Sequence, residues 1–203
     1  MENILFKISY PAEFHAQTAV ESAMALHEQV ANRLDDIDRI VIETQEPGVR
    51  IIDKTGTIDK PADWDHCIQY MVAVPLIFGR LTAADCEDDV ASDPRIDELR
   101  GKMEVTENKA YTADYFDPDK RYIGNAIQIF FKDGSSTDKV AIDYPIGHRQ
   151  RRDEGIPVLV RKFETSVSSK LKPGQWQALN EAAADREKLK AMPVDEFMAL
   201  LVA

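Results

Sequence analysis

The stretch NAIQIFFKDGSSTDKVAIDY, residues 125–144, decides the fold. Its two flanks, NAIQIFFK and TDKVAIDY, are apolar and β-branched, and DGSS between them carries an Asp-Gly turn signal, so the stretch reads as a β-hairpin. Outward from it, residues 38–44 (DRIVIET) alternate and are β-branched, as in a half-buried strand. Residues 49–52 (VRII) read as its partner across QEPG, where Pro47-Gly48 is a turn signal. Residues 102–107 read as a further strand. Residues 3–9 read as a short strand or an entry segment that Pro11 stops.

Helices complete the pattern. Ala19, Ala23, Leu26, Val30 and Leu34 recur at helical spacing over residues 16–34. Pro61, followed by Ala62 and Asp63, suits the start of a helix carrying Asp65, His66, Cys67 and Tyr70 towards Phe78, with Pro75 bending or splitting it. Residues 83–88 and 94–102 read as short helices on an acidic surface, and residues 155–162, 172–182 and 193–201 as closing helices. With no internal repeat and no low-complexity linker, the expectation is one α+β domain over residues 1–203, helices packed on a small, mainly antiparallel sheet.

Composition narrows the function. The 203 residues are 44% apolar, which excludes wholesale disorder and allows a real core. A formal charge of -11 argues against binding nucleic acid or an anionic membrane, since both need clustered Lys and Arg. The longest apolar run, MVAVPLIF, falls far short of the roughly 20 residues of a membrane span, and MENILFKISYP lacks the pattern of a signal peptide. Cys67 and Cys86 stand alone, without CxxC or His/Cys spacing, so neither a disulfide framework, a metal site nor an iron–sulfur cluster is expected. The expected compartment is the reducing cytoplasm.

Several residues carry chemistry. Lys7, between Phe6 and Ile8, is a cation for a substrate carboxylate or an edge lysine with a snorkelling stem. Glu13 and His15 open a helix, as a titratable pair facing one pocket or as a helix-end charge and a capping histidine. His66 and Tyr70, four apart, share a face of the expected helix, with Asp65 off that face. Together they offer a donor, an acceptor and a phenolic proton; Tyr70 equally suits a core position with its hydroxyl satisfied by backbone. GHRQRR, residues 147–152, is the only basic cluster. Arg149 there can bind a carboxylate bidentately, or the loop is solvated and paired with Asp153 and Glu154. No phosphate loop or GxSxG elbow is present.

The blocks FKISYPAEFHAQTAVESAM (residues 6–24), RIIDKTGTIDKPADWDHCIQYMVAVPLIFGRLTAADCEDD (50–89) and DYPIGHRQRRDEGIPVLVRKF (143–163), with the tail MPVDEFMALLVA, together resemble the C-terminal domain of the MmgE/PrpD family. The resemblance implies a two-domain lyase in which a larger N-terminal helical domain, absent from this chain, precedes a smaller α+β domain, with the active site in the cleft between them. It implies a small tricarboxylate substrate that loses water, and no metal or other cofactor. The family's pocket lysine falls on Lys7 and its pocket tyrosine on Tyr70. A histidine of the decarboxylase members falls near Glu13, with His15 two residues on, and which of the two faces the substrate is open.

On this reading Lys7, Tyr70 and His66 are catalytic, Glu13, His15, Asp65 and Arg149 bind substrate, and the base comes from the helical domain. The chain is then a C-terminal fragment with an interface laid bare, so self-association into a homo-oligomer is expected. Two other readings stand beside it: a sister decarboxylase or epimerase of the same family, and a non-catalytic binding or assembly module.

Overall fold

The computed structural model describes residues 7–202. The chain divides into two compact units, one ending at Arg151 and one beginning at Arg152.

In the first unit a 3-10 turn, Phe14–Ala16, leads into α1 (Gln17–Val30), which buries Ala19, Ala23, Leu26 and Val30 as the spacing requires. The helix ends four residues earlier than expected, and Leu34 opens a separate 3-10 turn, Leu34–Asp36. Residues 7–9 form no strand; residues 3–6, the rest of that expected segment, lie outside the described residues.

Strand β1 (Ile37–Thr44) alternates buried and exposed positions. The expected partner strand over residues 49–52 is instead part of α2 (Glu46–Ile52). Pro47 lies in its first turn, where the missing N–H costs no hydrogen bond. Gly48 is needed for close approach, since a Cβ there would lie 2.5 Å from Thr44 Oγ1. Both edges of β1 are also taken, by β2 (Met103–Glu107) and β3 (Asn125–Phe131), so no edge is left for VRII.

The helix expected from Pro61 onwards is two helices. α3 (Pro61–Trp64) stops after one turn, Cys67 is extended at φ -121° and ψ 111°, and α4 (Ile68–Phe78) begins there. Pro75 sits inside α4 without splitting it, so the break falls at residues 65–67. α4 is buried along nearly its whole length and ends at Gly79, whose φ of 66° supplies the left-handed cap.

The short helices α5 (Asp88–Ala91) and α6 (Pro94–Arg100) lie where expected. α7 (Lys109–Phe116) was not legible, because it buries no residue and shows no apolar stripe. The hairpin forms between β3 and β4 (Val140–Ile142), which pair antiparallel through Ile127↔Val140.

The sheet has the order β2-β1-β3-β4. Only β1 and β2 are parallel, so the connection between them runs through the helices α2 to α6. The sheet is therefore mainly antiparallel, with helices packed on it. α1 packs against α4 and against β3 and β4, closing a core that includes Leu26, Ile40, Ile42, Met71, Leu76 and Ile127.

The second unit contains α8 (Arg152–Ser168), α9 (Pro173–Ala184), α10 (Arg186–Ala191) and α11 (Val194–Ala199). Four helices stand where three were expected. α8 extends past both ends of the expected span, and Leu179 and Ala182 of α9 are buried.

Candidate functional site

The site is built where the chain enters α1. Glu13 is extended and caps the 3-10 turn, its carboxylate accepting the His15 backbone N–H at 2.8 Å. The same carboxylate holds His15 Nδ1 at 2.9 and 3.1 Å. The His15 side chain is only 10% exposed, and its Nε2 stands 3.2 Å from the hydroxyl of Tyr115, on α7. From below, the Asn125 amide of β3 donates to the His15 carbonyl and to the Thr18 hydroxyl, both at 2.7 Å. His15 is thus fixed at its ring and at its backbone.

The break between α3 and α4 belongs to this group. The Glu13 backbone N–H donates to the Asp65 carbonyl at 2.8 Å, and Asp65 Oδ1 lies 2.7 Å from Nδ1 of the exposed His66. Burial pushes the Glu13 carboxyl up, but the hydrogen bonds and charge of His15, with help from His66, outweigh it and hold the carboxyl below its ordinary value. Burial and the Glu13 charge raise the Tyr115 hydroxyl, and the Arg121 charge opposes them. Arg121 has a φ of 51°, a strained conformation for a residue with a side chain.

Lys7 is exposed. It acts on the Cys86 thiol, which burial pushes up to about 11 with contributions from Asp65, Asp85 and Glu87, while Lys7 draws it down. Glu13, His15, Asp65 and His66 are joined by these contacts, and the charges of Lys7 and Asp65 both reach the Cys86 thiol.

Tyr70 and Arg149 are placed differently. His66 and Tyr70 do not share a helical face, because the break at residues 65–67 ends the continuity on which that pairing rested. Tyr70 is 1% exposed and donates its hydroxyl to the Asp85 carbonyl, and its ring stacks on Trp64 with centroids 6.0 Å apart. Burial raises its hydroxyl above the ordinary range. Arg149 donates to the Asp119 carbonyl and lies near Tyr144. In the GHRQRR run it is Arg151 that grips a carboxylate bidentately, that of Glu21 at 2.9 and 2.8 Å.

Tyr115, Arg121 and Asn125 were missed in the sequence. One signal points to the first of them: Asn108 ahead of KAYTADYF is a helix N-cap, and its side chain accepts from the N–H groups of Ala110 and Tyr111. Among the described residues, no three His, Cys, Asp or Glu side chains are grouped to hold a metal ion, and no helix is long and apolar enough to cross a membrane. Cys67 and Cys86 are free thiols.

The arrangement suits proton transfer. A carboxylate on Nδ1 orients the imidazole, and Nε2 meets a phenol that can pass a proton outward.

The chain is 57% identical over 201 residues to a 2-methylcitrate dehydratase of Cupriavidus necator, covering 98% of this chain and 42% of that protein. It is 55% identical over 205 residues to the 2-methylcitrate dehydratase of Salmonella typhimurium, and 56% identical to a mitochondrial 2-methylcitrate dehydratase of Yarrowia lipolytica. The chain spans about two fifths of the length of these relatives, 39% to 42%. Residues 10–188 match the MmgE/PrpD C-terminal domain, and the chain belongs to the MmgE/PrpD family.

Proposed function

We propose that this chain supplies the C-terminal part of the active site of a 2-methylcitrate dehydratase. Such a hydro-lyase converts 2-methylcitrate to 2-methyl-cis-aconitate in the methylcitrate cycle of propionate catabolism. The observation that carries the proposal is the Glu13–His15–Tyr115 chain of contacts in a sequence similar to these dehydratases over nearly its whole length.

Elimination needs a base for the proton beside a carboxylate and an acid for the departing hydroxyl. The C–H electron pair becomes the new double bond, and the hydroxyl leaves with its own pair and takes up a proton to become water. The exposed ammonium of Lys7 neutralises a substrate carboxylate and the enolate-like charge that develops there. His15, oriented by Glu13 and entering the step as the imidazolium, passes its Nε2 proton to Tyr115 as the phenol gives its own to the leaving hydroxyl. Both residues then stand neutral. His66, with Asp65, supplies a second donor at the exposed rim of the group.

Tyr70, engaged by the Asp85 carbonyl, serves the packing of the core, and Arg149 stays with the Asp119 carbonyl. The base comes from the helical N-terminal domain, and the reading asks for no cofactor. The partners are the tricarboxylate, that helical domain and a second copy of the enzyme; the compartment is the cytoplasm, in keeping with the two free thiols.

Mass analysis of the product formed from 2-methylcitrate by the two-domain enzyme tests the reaction class. A product short of one water is expected. Release of carbon dioxide would make it a decarboxylase, and an isomer of unchanged mass an epimerase, and either would overturn the proposal.

A further inference from the structure

A run of four rings passes through His15. Phe14 lies edge-on to the imidazole with centroids 5.9 Å apart, and the imidazole lies 5.6 Å from the ring of Tyr115. Tyr115 in turn meets Phe116 edge-on at 5.1 Å. Of the two phenylalanines, Phe14 is half-buried, whereas Phe116 is 61% exposed. No large apolar side chain among the described residues of the first unit is more exposed.

Phe116 is nonetheless held in place. It is the last residue of α7, and the Asp117 N–H closes that helix on the Ala113 carbonyl at 3.1 Å. Beyond it the chain turns back: the Arg121 N–H donates to the Asp117 carbonyl at 2.9 Å, and the Lys120 ammonium meets the Asp114 carboxylate. An aromatic ring fixed in this way gives up little conformational freedom when a ligand packs on it.

The proposed reaction supplies a group for that ring. In 2-methyl-cis-aconitate the methyl stands on the new double bond. In 2-methylcitrate it therefore stands on the carbon that loses the proton, next to the carbon that bears the hydroxyl. Tyr115 is the donor assigned to that hydroxyl, so the surface that meets the methyl has to lie beside Tyr115. The groups assigned to the carboxylates and the proton are polar and gain nothing from a methyl, while an apolar face does. Phe116 offers that face at the required place.

On the basis of the proposed function, we infer that Phe116 is a specificity-determining residue. Its ring takes the methyl group of the substrate and sets the preference for a methyl-bearing tricarboxylate over citrate.

The test is the ratio of kcat/KM for 2-methylcitrate to kcat/KM for citrate, measured in the two-domain enzyme. In Phe116→Ser the ratio should fall about fourfold or more, the worth of one methyl moved from water onto an apolar surface. Phe116→Leu keeps an apolar face and should hold the ratio within about twofold of wild type. The exposed position lets both variants keep the wild-type urea midpoint. An unchanged ratio in Phe116→Ser would overturn the inference. So would equal losses on both substrates, which would make the ring a docking contact for the helical domain. Both of those outcomes leave the dehydratase reading standing. A wild-type enzyme that dehydrates neither acid would bring down that reading and this inference with it.

Discussion

Both ring nitrogens of His15 are engaged, Nδ1 by Glu13 and Nε2 by Tyr115, and that single residue joins the start of α1 to α7. The Glu13 carboxyl is held below its ordinary value of 4.5. The folded protein therefore binds that proton less tightly than the unfolded chain. The stability contributed by the pair is complete above the ordinary value and disappears as pH falls through the lower, folded one. Urea titrations should show wild type more stable than Glu13→Gln at neutral pH, with the gap closing in acid; a gap that widened in acid would contradict the assignment.

Lys7 is exposed, so Lys7→Ala should leave the urea midpoint unchanged while lowering kcat/KM of the two-domain enzyme about a hundredfold or more. Tyr70→Phe should do the reverse. It strands the Asp85 carbonyl in the core and should cost about 1–3 kcal/mol in urea unfolding, with kcat/KM moved less than about threefold. A loss of catalysis without a loss of stability would return Tyr70 to the catalytic group. At this scale the sequence was legible where the residues lie close together: Glu13 and His15 two apart, Asp65 and His66 side by side. It was not legible for Tyr115, because a contact across 100 residues leaves no mark in local spacing.

Among the elements, alternation made β1 readable, since a half-buried strand repeats every second residue, and the Asp-Gly turn between two apolar, β-branched flanks made the β3–β4 hairpin readable. The segment VRII carries the same β-branched character, yet it is helical because Pro47 suits a first helical turn and β1 has no free edge. The pairing of His66 with Tyr70 failed for a related reason: four-residue spacing means proximity only on an unbroken helix, and the chain breaks between α3 and α4. α7 is the element on which the proposed proton relay depends, and Asn108 caps it. Asn108→Ala should cost about 1 kcal/mol in urea unfolding. Displacing Tyr115 should also lower kcat more than it raises KM. A stability loss with kcat unchanged would separate α7 from the chemistry.

For the whole molecule, the α+β class followed from a few strands set among many helices, and the family from blocks too long to arise by chance. The division at Arg151 and Arg152 was not legible, since no shift in composition marks it. On the proposed function, an acidic chain that meets a tricarboxylate must gather cations at the point of contact, and Lys7 is the cation assigned to that task. On that proposal the group neutralises and protonates, and the base is assigned to the further length that the relatives have beyond this chain's span.

The most direct test follows the ultraviolet absorbance of the unsaturated tricarboxylate after 2-methylcitrate is added to the chain alone, and then to the chain together with the N-terminal region of a relative. Turnover only in the mixture is the predicted result. Turnover by the chain alone, or none in the mixture with both parts folded, would contradict it.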